Sequence, residues 1–141
     1  MNEKIRILIV DDHDEARHAL YKLLSTVDDI EITGEAANGK EALINAAIRR
    51  PDVIIMDEKM PVLNGLEASS ILSEKNLPCK VIMLTMYEQF VDEAIENGVK
   101  GYLLKGISFN ELIGSIRNVY QGKMVIDKKI QFKDKTYMST I

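Results

Sequence analysis

The stretch VIIMDEKMPVLNG, residues 53 to 65, joins four apolar residues directly to an acid. Val53 to Met56 form a short apolar run without polar alternation, which is typical of a strand buried on both faces of a parallel sheet. Asp57 follows at once, and Glu58 and Lys59 come next. The carboxylate of Asp57 is therefore expected where the buried sheet meets solvent.

Further apolar runs predict four more strands. They are short, rich in Ile, Val and Leu, and separated by longer segments with helical periodicity. Strands that alternate with helices predict right-handed crossovers and a doubly wound α/β fold. The runs lie at Ile5 to Val10, Ile30 to Ala36, which is the weakest, Val81 to Leu84 and Tyr102 to Leu104.

Five segments predict helices. The first has one apolar face, and the last has another that follows Ser108, a plausible N-cap. The three between are less regular, and Gly98 is a stop signal for the third of them. The apolar face of the last helix lies between Phe109 and Tyr120, and the three middle helices are predicted over residues 40 to 49, 65 to 75 and 88 to 97. The apolar face of the first helix consists of Ala16, Ala19, Leu20, Leu23 and Leu24.

Composition and charge predict one domain with a basic extension. The 141 residues are 46% hydrophobic, enough for one core and too few for two ordinary domains. Residues 122 to 141 hold five of the 18 Lys and Arg but two of the 22 Asp and Glu. The acidic body, residues 1 to 121, argues against direct binding of nucleic acid, because binding a phosphate backbone needs a basic face. We interpret residues 122 to 141 as a linker, because the separated Phe132 and Tyr137 make a weak case for nucleic-acid binding.

Several other classes of protein are disfavoured. Cys79 is the single cysteine, which excludes an intramolecular disulfide, and with His13 and His18 the only imidazoles a zinc enzyme is not favoured. The first apolar run is interrupted by Arg6 and ends in acids, so it is neither a signal peptide nor a membrane span. We expect a cytoplasmic protein that does not contact a membrane.

Polar residues follow four of the predicted strands. Because ligands bind beyond the carboxyl ends of parallel strands, these residues are expected to converge on one edge of the sheet. Each alone has an ordinary explanation; the first two acids, for example, fit a solvated turn before a helix capped by Asp14. Their occurrence together favours a site, made of Asp11, Asp12, Asp57, Thr85 and Lys105.

The residue types predict phosphoryl chemistry with Mg²⁺. Carboxylates held close together repel one another and need a cation, and hard oxygen ligands with room for water suit Mg²⁺. Asp57 could then attack phosphorus to form an aspartyl-phosphate. Lys105 and Thr85 would stabilise the phosphoryl oxygens as a charge and a hydrogen-bond donor.

Four stretches together resemble, in order and spacing, the receiver domain of bacterial two-component response regulators. They read ILIVDDHDEAR, PDVIIMDEKMPVLNGLEA, VIMLTMYE and VKGYLLKG, and the resemblance covers roughly residues 4 to 121. The sequences LTMYE and GYLLKG, with GKMVID after the last helix, most resemble those of the subfamily whose receivers precede a LuxR/NarL-type helix-turn-helix.

The resemblance implies a role for each site residue. Asp57 would be the phosphoacceptor. Mg²⁺ would be bound by Asp12, Asp57 and the backbone carbonyl of Lys59, with Asp11 acting through a coordinated water. Thr85 would bind the phosphoryl group and move toward it, Lys105 would bind it with its ammonium, and Tyr102 would be the switch aromatic that turns inward as Thr85 moves.

The resemblance also implies a fold and partners. The family fold is flavodoxin-like, with a five-stranded parallel sheet in the order 2-1-3-4-5 flanked by five helices. Its usual signalling face corresponds here to about residues 88 to 121. Implied partners are a sensor histidine kinase, a second copy of the chain upon phosphorylation, and DNA only through an output domain absent from this chain. Such a domain is not an enzyme, beyond at most catalysing its own phosphorylation and dephosphorylation.

Two other interpretations stay open at this point. A stand-alone or phosphorylation-independent interaction module could use the same fold, although it would not need the full set of acids with Thr85 and Lys105. An enzyme such as a flavodoxin or a phosphatase fits less well, because no glycine-rich phosphate loop follows the first strand and Lys59 stands where a second Asp would be needed.

The sequence departs from the family pattern at three positions. Lys59 places an ammonium near the site, Met86 could narrow access to it, and Gly106 replaces a common Pro, so no cis peptide is inferred. The chain also ends before any helix-turn-helix pattern. That ending favours a shortened form of a longer protein over a natural single-domain protein.

Overall fold

A computed structural model describes residues 3 to 130 as alternating strands and helices. Residues 1 and 2 and residues 131 to 141, with Phe132 and Tyr137, lie outside the described part of the chain. The strands are β1 Ile5–Val10, β2 Ile30–Ala36, β3 Val53–Met56, β4 Lys80–Thr85, β5 Gly101–Leu104 and β6 Val125–Ile126. The helices are α1 Asp14–Leu24, α2 Gly39–Arg49, α3 Gly65–Glu74, α4 Val91–Glu96 and α5 Phe109–Tyr120.

The strands form one parallel sheet in the order β2-β1-β3-β4-β5-β6. The predicted doubly wound flavodoxin-like fold and the order 2-1-3-4-5 are confirmed, with one strand more than expected. The chain turns after α5 at Gly122, whose φ of +96° favours glycine, and returns along the outer edge of β5. The additional strand exists because that edge offers free backbone groups.

The core consists of two apolar layers, one on each face of the sheet. Neighbouring residues of one strand contribute to opposite layers, so Ile54 packs toward α2, α3 and α4 whereas Ile55 packs toward α5. Burial on both faces explains why a central strand such as β3 is a continuous apolar run, whereas β2 at the edge of the sheet is only partly buried and contains polar residues.

Two helices differ from the sequence prediction. The predicted apolar face of α1 is buried mainly through Leu24, whereas Leu23 is 50% exposed, so periodicity identified the face but not how far it is covered. Asp14 begins this helix and does not cap it, since His13 holds the N-cap position. The helix expected over residues 88 to 97 is six residues long and begins after Phe90, which offers no side-chain cap.

The start of α3 is fixed directly beside the end of β3. Asn64 and Glu67 form a capping box, in which each side chain accepts a hydrogen bond from the backbone N–H of the other. A Cβ on Gly65 would collide with the carbonyl oxygen of Asp57, so glycine is required for this close approach. The loop from Asp57 to Gly65 is therefore held at both ends.

Within residues 3 to 130 no helix combines the length and the hydropathy needed to span a bilayer.

Candidate functional site

The ends of four strands bring the predicted site residues to one edge of the sheet. Lys105 follows β5, and its Nζ lies 2.8 Å from Asp57 Oδ2 and 3.2 Å from Asp11 Oδ2. Asp11 and Lys105 are 94 residues apart in the chain. Convergence of Asp11, Asp57 and Lys105, which the order of the strands predicted, is therefore present.

Backbone bonds of the sheet continue into the site. The N–H of Asp57 donates to the carbonyl of Val10 at 3.1 Å, and the N–H of Lys105 donates to the carbonyl of Thr85 at 2.8 Å. These bonds fix the Cα positions of the reactive residues to neighbouring strands. Their side chains consequently start from a rigid scaffold.

Asp57 is a buried carboxylate with two different partners. The residue is 7% exposed, its Oδ1 accepts from the N–H of Glu58 at 2.7 Å, and its Oδ2 accepts from Lys105. One oxygen is thus held by backbone and the other by a cation. Such a carboxylate has fixed orientation and a neutralising partner.

Asp11 and Lys105 stabilise each other's charged forms. Burial works against ionisation of Asp11, but hydrogen bonds from His13 and the Lys105 charge outweigh it and hold its pKa below the ordinary value. Burial likewise opposes charge on Lys105, and the bond to Asp57 with the charges of both acids keeps its pKa above the ordinary value. Asp11 is therefore anionic and Lys105 cationic at neutral pH.

Asp12 supplies an oxygen without a hydrogen-bond partner. Its Oδ1 is buried and accepts no hydrogen bond within residues 3 to 130. His13 Nδ1 lies 3.2 Å from this atom but is already hydrogen-bonded to Asp11 Oδ1 at 2.9 Å. Because Asp11 is ionised, the imidazole must donate in that bond, which leaves the Asp12 oxygen with an ion-pair contact but no hydrogen bond.

The donor set fits a divalent cation. Oxygens of the three acids and a nitrogen of His13 lie within 4.8 Å of one another. A buried oxygen without a donor, beside two further carboxylates, is the environment that a hard cation such as Mg²⁺ prefers. The residues present are thus compatible with the Mg²⁺ that the sequence predicted.

Thr85 and Tyr102 are joined through one residue. Both are completely buried; Thr85 Oγ1 accepts from the N–H of Tyr87 at 3.3 Å, and the Tyr102 hydroxyl donates to the carbonyl of Tyr87. Burial raises the pKa of Tyr102 far above its ordinary value. Its ring is therefore already inside the protein, with a neutral hydroxyl bound to the loop after β4.

The Lys59 ammonium is placed on an aromatic ring. Its Nζ lies 4.3 Å from the centroid of the Tyr87 ring, so it joins the loop after β3 to the loop after β4. Met86, which could have narrowed access, is 74% exposed. Gly106 has a φ of +100°, and no cis peptide occurs in the described residues.

Glu58 is a buried acid that the sequence analysis did not single out. It is 4% exposed, and its Oε1 accepts from the N–H of Leu66 in the first turn of α3 at 3.2 Å. Burial raises its pKa, and the neighbouring Asp57 charge adds to this effect. The signal in the sequence was its position, between a buried strand and a helix that begins seven residues later.

Comparisons with known proteins agree with this geometry. The family model for the response regulator receiver domain matches residues 7–117. The chain belongs to this family.

The receiver domain has relatives among response regulators. It is 38% identical to GacA of Pseudomonas protegens over 128 residues, which are 89% of this chain and 60% of GacA. It is 37% identical to VraR of Staphylococcus epidermidis over 137 residues, 95% of this chain and 65% of VraR. The chain thus spans less than two thirds of these relatives.

Solved structures place it near the LuxR group. A LuxR-family response regulator from Aurantimonas sp. SI85-9A1 superimposes with a TM-score of 0.86 at 27% identity, covering 91% of this chain and 93% of that one. A LuxR-family DNA-binding response regulator from Staphylococcus aureus has a TM-score of 0.79 at 31% identity, covering 82% and 98%. The subfamily resemblance inferred from the sequence is confirmed.

The raised pKa of Glu58 predicts that its ionisation destabilises the fold. A carboxyl whose folded pKa exceeds its unfolded value loses stability as pH rises from the unfolded value through the folded one. Glu58→Gln keeps an oxygen for Leu66 and cannot ionise. Thermal unfolding should give the variant a higher Tm than the wild type at pH 7, with a difference that shrinks toward about pH 4.

Glu88→Gln is the matched control, because Glu88 is exposed. It should leave the Tm unchanged at both pH values. A Glu58→Gln variant no more stable than the wild type at pH 7 would refute this account of the buried acid.

Proposed function

We propose that this receiver domain accepts a phosphoryl group from a sensor histidine kinase on Asp57, with Mg²⁺, and thereby regulates transcription through a helix-turn-helix domain outside this chain. The observation that carries the proposal is the buried Asp57 carboxylate, which lies 2.8 Å from Lys105 Nζ. It is clustered with the Asp12 oxygen that accepts no hydrogen bond within the described residues. Nucleophile, cation and candidate metal ligand meet at one point.

Asp57 acts as the nucleophile. One carboxylate oxygen forms a bond to phosphorus while the bond from phosphorus to the nitrogen of the donor histidine breaks, and that nitrogen keeps the electron pair. The products are an aspartyl-phosphate and a neutral imidazole, because the other ring nitrogen of the donor phosphohistidine carries a proton when the bond breaks. The bond from Glu58 N–H to Asp57 Oδ1 orients the carboxylate for this attack.

Asp12, Asp57 and the Lys59 carbonyl would hold Mg²⁺, with Asp11 acting through a bound water. When bound, Mg²⁺ neutralises charge on the phosphoryl oxygens. Lys105 already lies between Asp57 and Asp11, so its ammonium needs only a small movement to bind a phosphoryl oxygen. The site thus has a protein cation available in both states.

Thr85 and Tyr102 would carry the change outward. The Thr85 hydroxyl can donate to a phosphoryl oxygen while it continues to accept from Tyr87. Tyr102 binds the carbonyl of the same Tyr87, so its inward position is supported by the same loop. The expected output is a changed surface for a second copy of the chain or for the output domain.

The alternative of a phosphorylation-independent module is less well supported. It gives no reason for a buried acid paired with Lys105 beside two further acids. That the domain catalyses at most its own phosphorylation and dephosphorylation stays a prediction. The cytoplasmic location and the kinase partner stay predictions.

Incubation of the chain with acetyl phosphate and Mg²⁺, followed by intact mass spectrometry, tests the proposal. Wild type should gain the mass of one phosphoryl group, and Asp57→Asn should gain none because an amide is a poor nucleophile. An adduct on Asp57→Asn, or no adduct on the wild type, would be incompatible with the proposed function.

Lys59 is predicted to tune the lifetime of the phosphoryl group. Lys59→Asn removes the contact with Tyr87 that joins two loops beside the site, so water should reach phosphorus more easily and dephosphorylation should accelerate about fivefold, the rate equivalent of about 1 kcal/mol. Apparent Mg²⁺ affinity should increase, because a positive charge has been removed.

The control is Lys100→Asn, which removes the same charge from an exposed position directly before β5. It should change neither quantity. If dephosphorylation and Mg²⁺ titration of Lys59→Asn also match the wild type, Lys59 contributes only its carbonyl.

A further inference from the structure

The six residues from Val125 to Ile130 cover the outer edge of β5. The N–H of Val125 donates to Lys100 at 3.0 Å, and the N–H of Asp127 donates to Tyr102 at 2.8 Å. In the other direction, the N–H of Leu104 donates to Asp127 Oδ2 at 3.0 Å. We call residues 125 to 130 the edge segment; it satisfies backbone groups along the whole length of β5.

Asp127 is the anchor of the edge segment. It is 6% exposed, and its second oxygen accepts from the N–H of Lys129 at 2.9 Å. Its own carbonyl accepts from Ile130, which turns the chain back toward the sheet. A buried carboxylate with only backbone donors holds the segment in one register.

The edge segment packs beside the aromatic residue of the proposed switch. Ile126 is the register partner of Tyr102, and Ile130, 7% exposed, belongs to the same apolar layer as Tyr102, Val91 and Ala94. The edge segment and the inward Tyr102 ring therefore belong to the same apolar layer. Loss of either one would expose apolar surface of the other, so the two are expected to stabilise each other.

A chain of contacts joins this edge to the phosphoacceptor site. Thr85 Oγ1 accepts a hydrogen bond from the N–H of Tyr87, and the carbonyl of Tyr87 accepts one from the Tyr102 hydroxyl. The Tyr102 carbonyl in turn accepts one from the N–H of Asp127. A phosphoryl group that accepts from Thr85 would strengthen the first member of this series. The bond from the Tyr102 hydroxyl to Tyr87 requires the inward ring, whereas the bond from Asp127 is made to the Tyr102 backbone and joins the edge segment to the residue that carries the ring.

We propose that docking of the edge segment on β5 is coupled to the inward position of Tyr102, so that phosphorylation of Asp57 tightens the docking and fixes where the chain leaves the domain. This inference rests on the proposed function. Release of the six residues would add up to about 20 Å to the reach of whatever follows. The segment thereby converts a side-chain position into a different placement of the output domain.

Hydrogen exchange on the full chain, with and without acetyl phosphate and Mg²⁺, tests the coupling. Intact mass measured on the same samples reports phosphate uptake separately. Phosphorylation should slow exchange in a peptide covering residues 123 to 130 by about fivefold or more, the range of ordinary coupling free energies. Uptake of phosphate with unchanged exchange overturns the coupling alone, whereas no uptake overturns the proposed function and the coupling with it.

The reciprocal effect gives a second test. Because coupling is symmetric, Ile130→Asp, which disfavours docking, should weaken binding of beryllofluoride, a phosphoryl analogue, by the same factor. Lys129→Ala is the control, since its side chain is exposed and its backbone N–H still reaches Asp127. Equal beryllofluoride affinity in the two variants contradicts the inference.

Discussion

The ion pair of Lys105 with Asp57 and Asp11 is the interaction on which the arrangement of the site depends. The strand order places the two acids side by side at the edge of the sheet, where their charges would repel in partly desolvated surroundings. Lys105 arrives from β5, three strands away from Asp11 in the sheet, and neutralises both. The same cation can then exchange a carboxylate oxygen for a phosphoryl oxygen, so the resting structure already contains the partner that the product needs.

From this ion pair the structure leads outward through backbone and hydroxyl groups. Thr85, Tyr87 and Tyr102 form successive hydrogen bonds, and the edge segment bonds to the backbone of Tyr102 and packs in the same apolar layer as its ring. Every member is buried or part-buried, which makes an unpaired group costly. A change at one end is therefore expected to shift the population of the whole series, because intermediate arrangements leave polar groups without partners.

Much of the fold was predictable because its signals are local. Strands buried on both faces are mostly apolar, so β1 and β3 were placed to the residue, and parallel topology then required Asp11, Asp57 and Lys105 to meet. Burial of Glu58 was not predictable, since only the folded loop brings the N–H of Leu66 to donate to its carboxylate.

Two further features depended on tertiary contacts that no short pattern reveals. β6 has only two residues, and it is stable because β5 presents a free edge and Asp127 finds the N–H of Leu104. The apolar spacing of α1 indicated a face without indicating that Leu23 would stay half exposed. Periodicity predicts the side of the helix on which a side chain lies, whereas its exposed fraction depends on how the neighbouring helix packs against it.

The most direct measurement of the central claim is the position of the phosphoryl group on the chain. Treatment of the phosphorylated protein with borohydride reduces an acyl phosphate to an alcohol, which converts a phosphorylated Asp into homoserine, and peptide sequencing by mass spectrometry then locates it. The account predicts homoserine at position 57 and at no other acid. Reduction at Asp11, Asp12 or Glu58 would contradict it. A phosphoryl group found on a residue that is not a carboxylate would also contradict it.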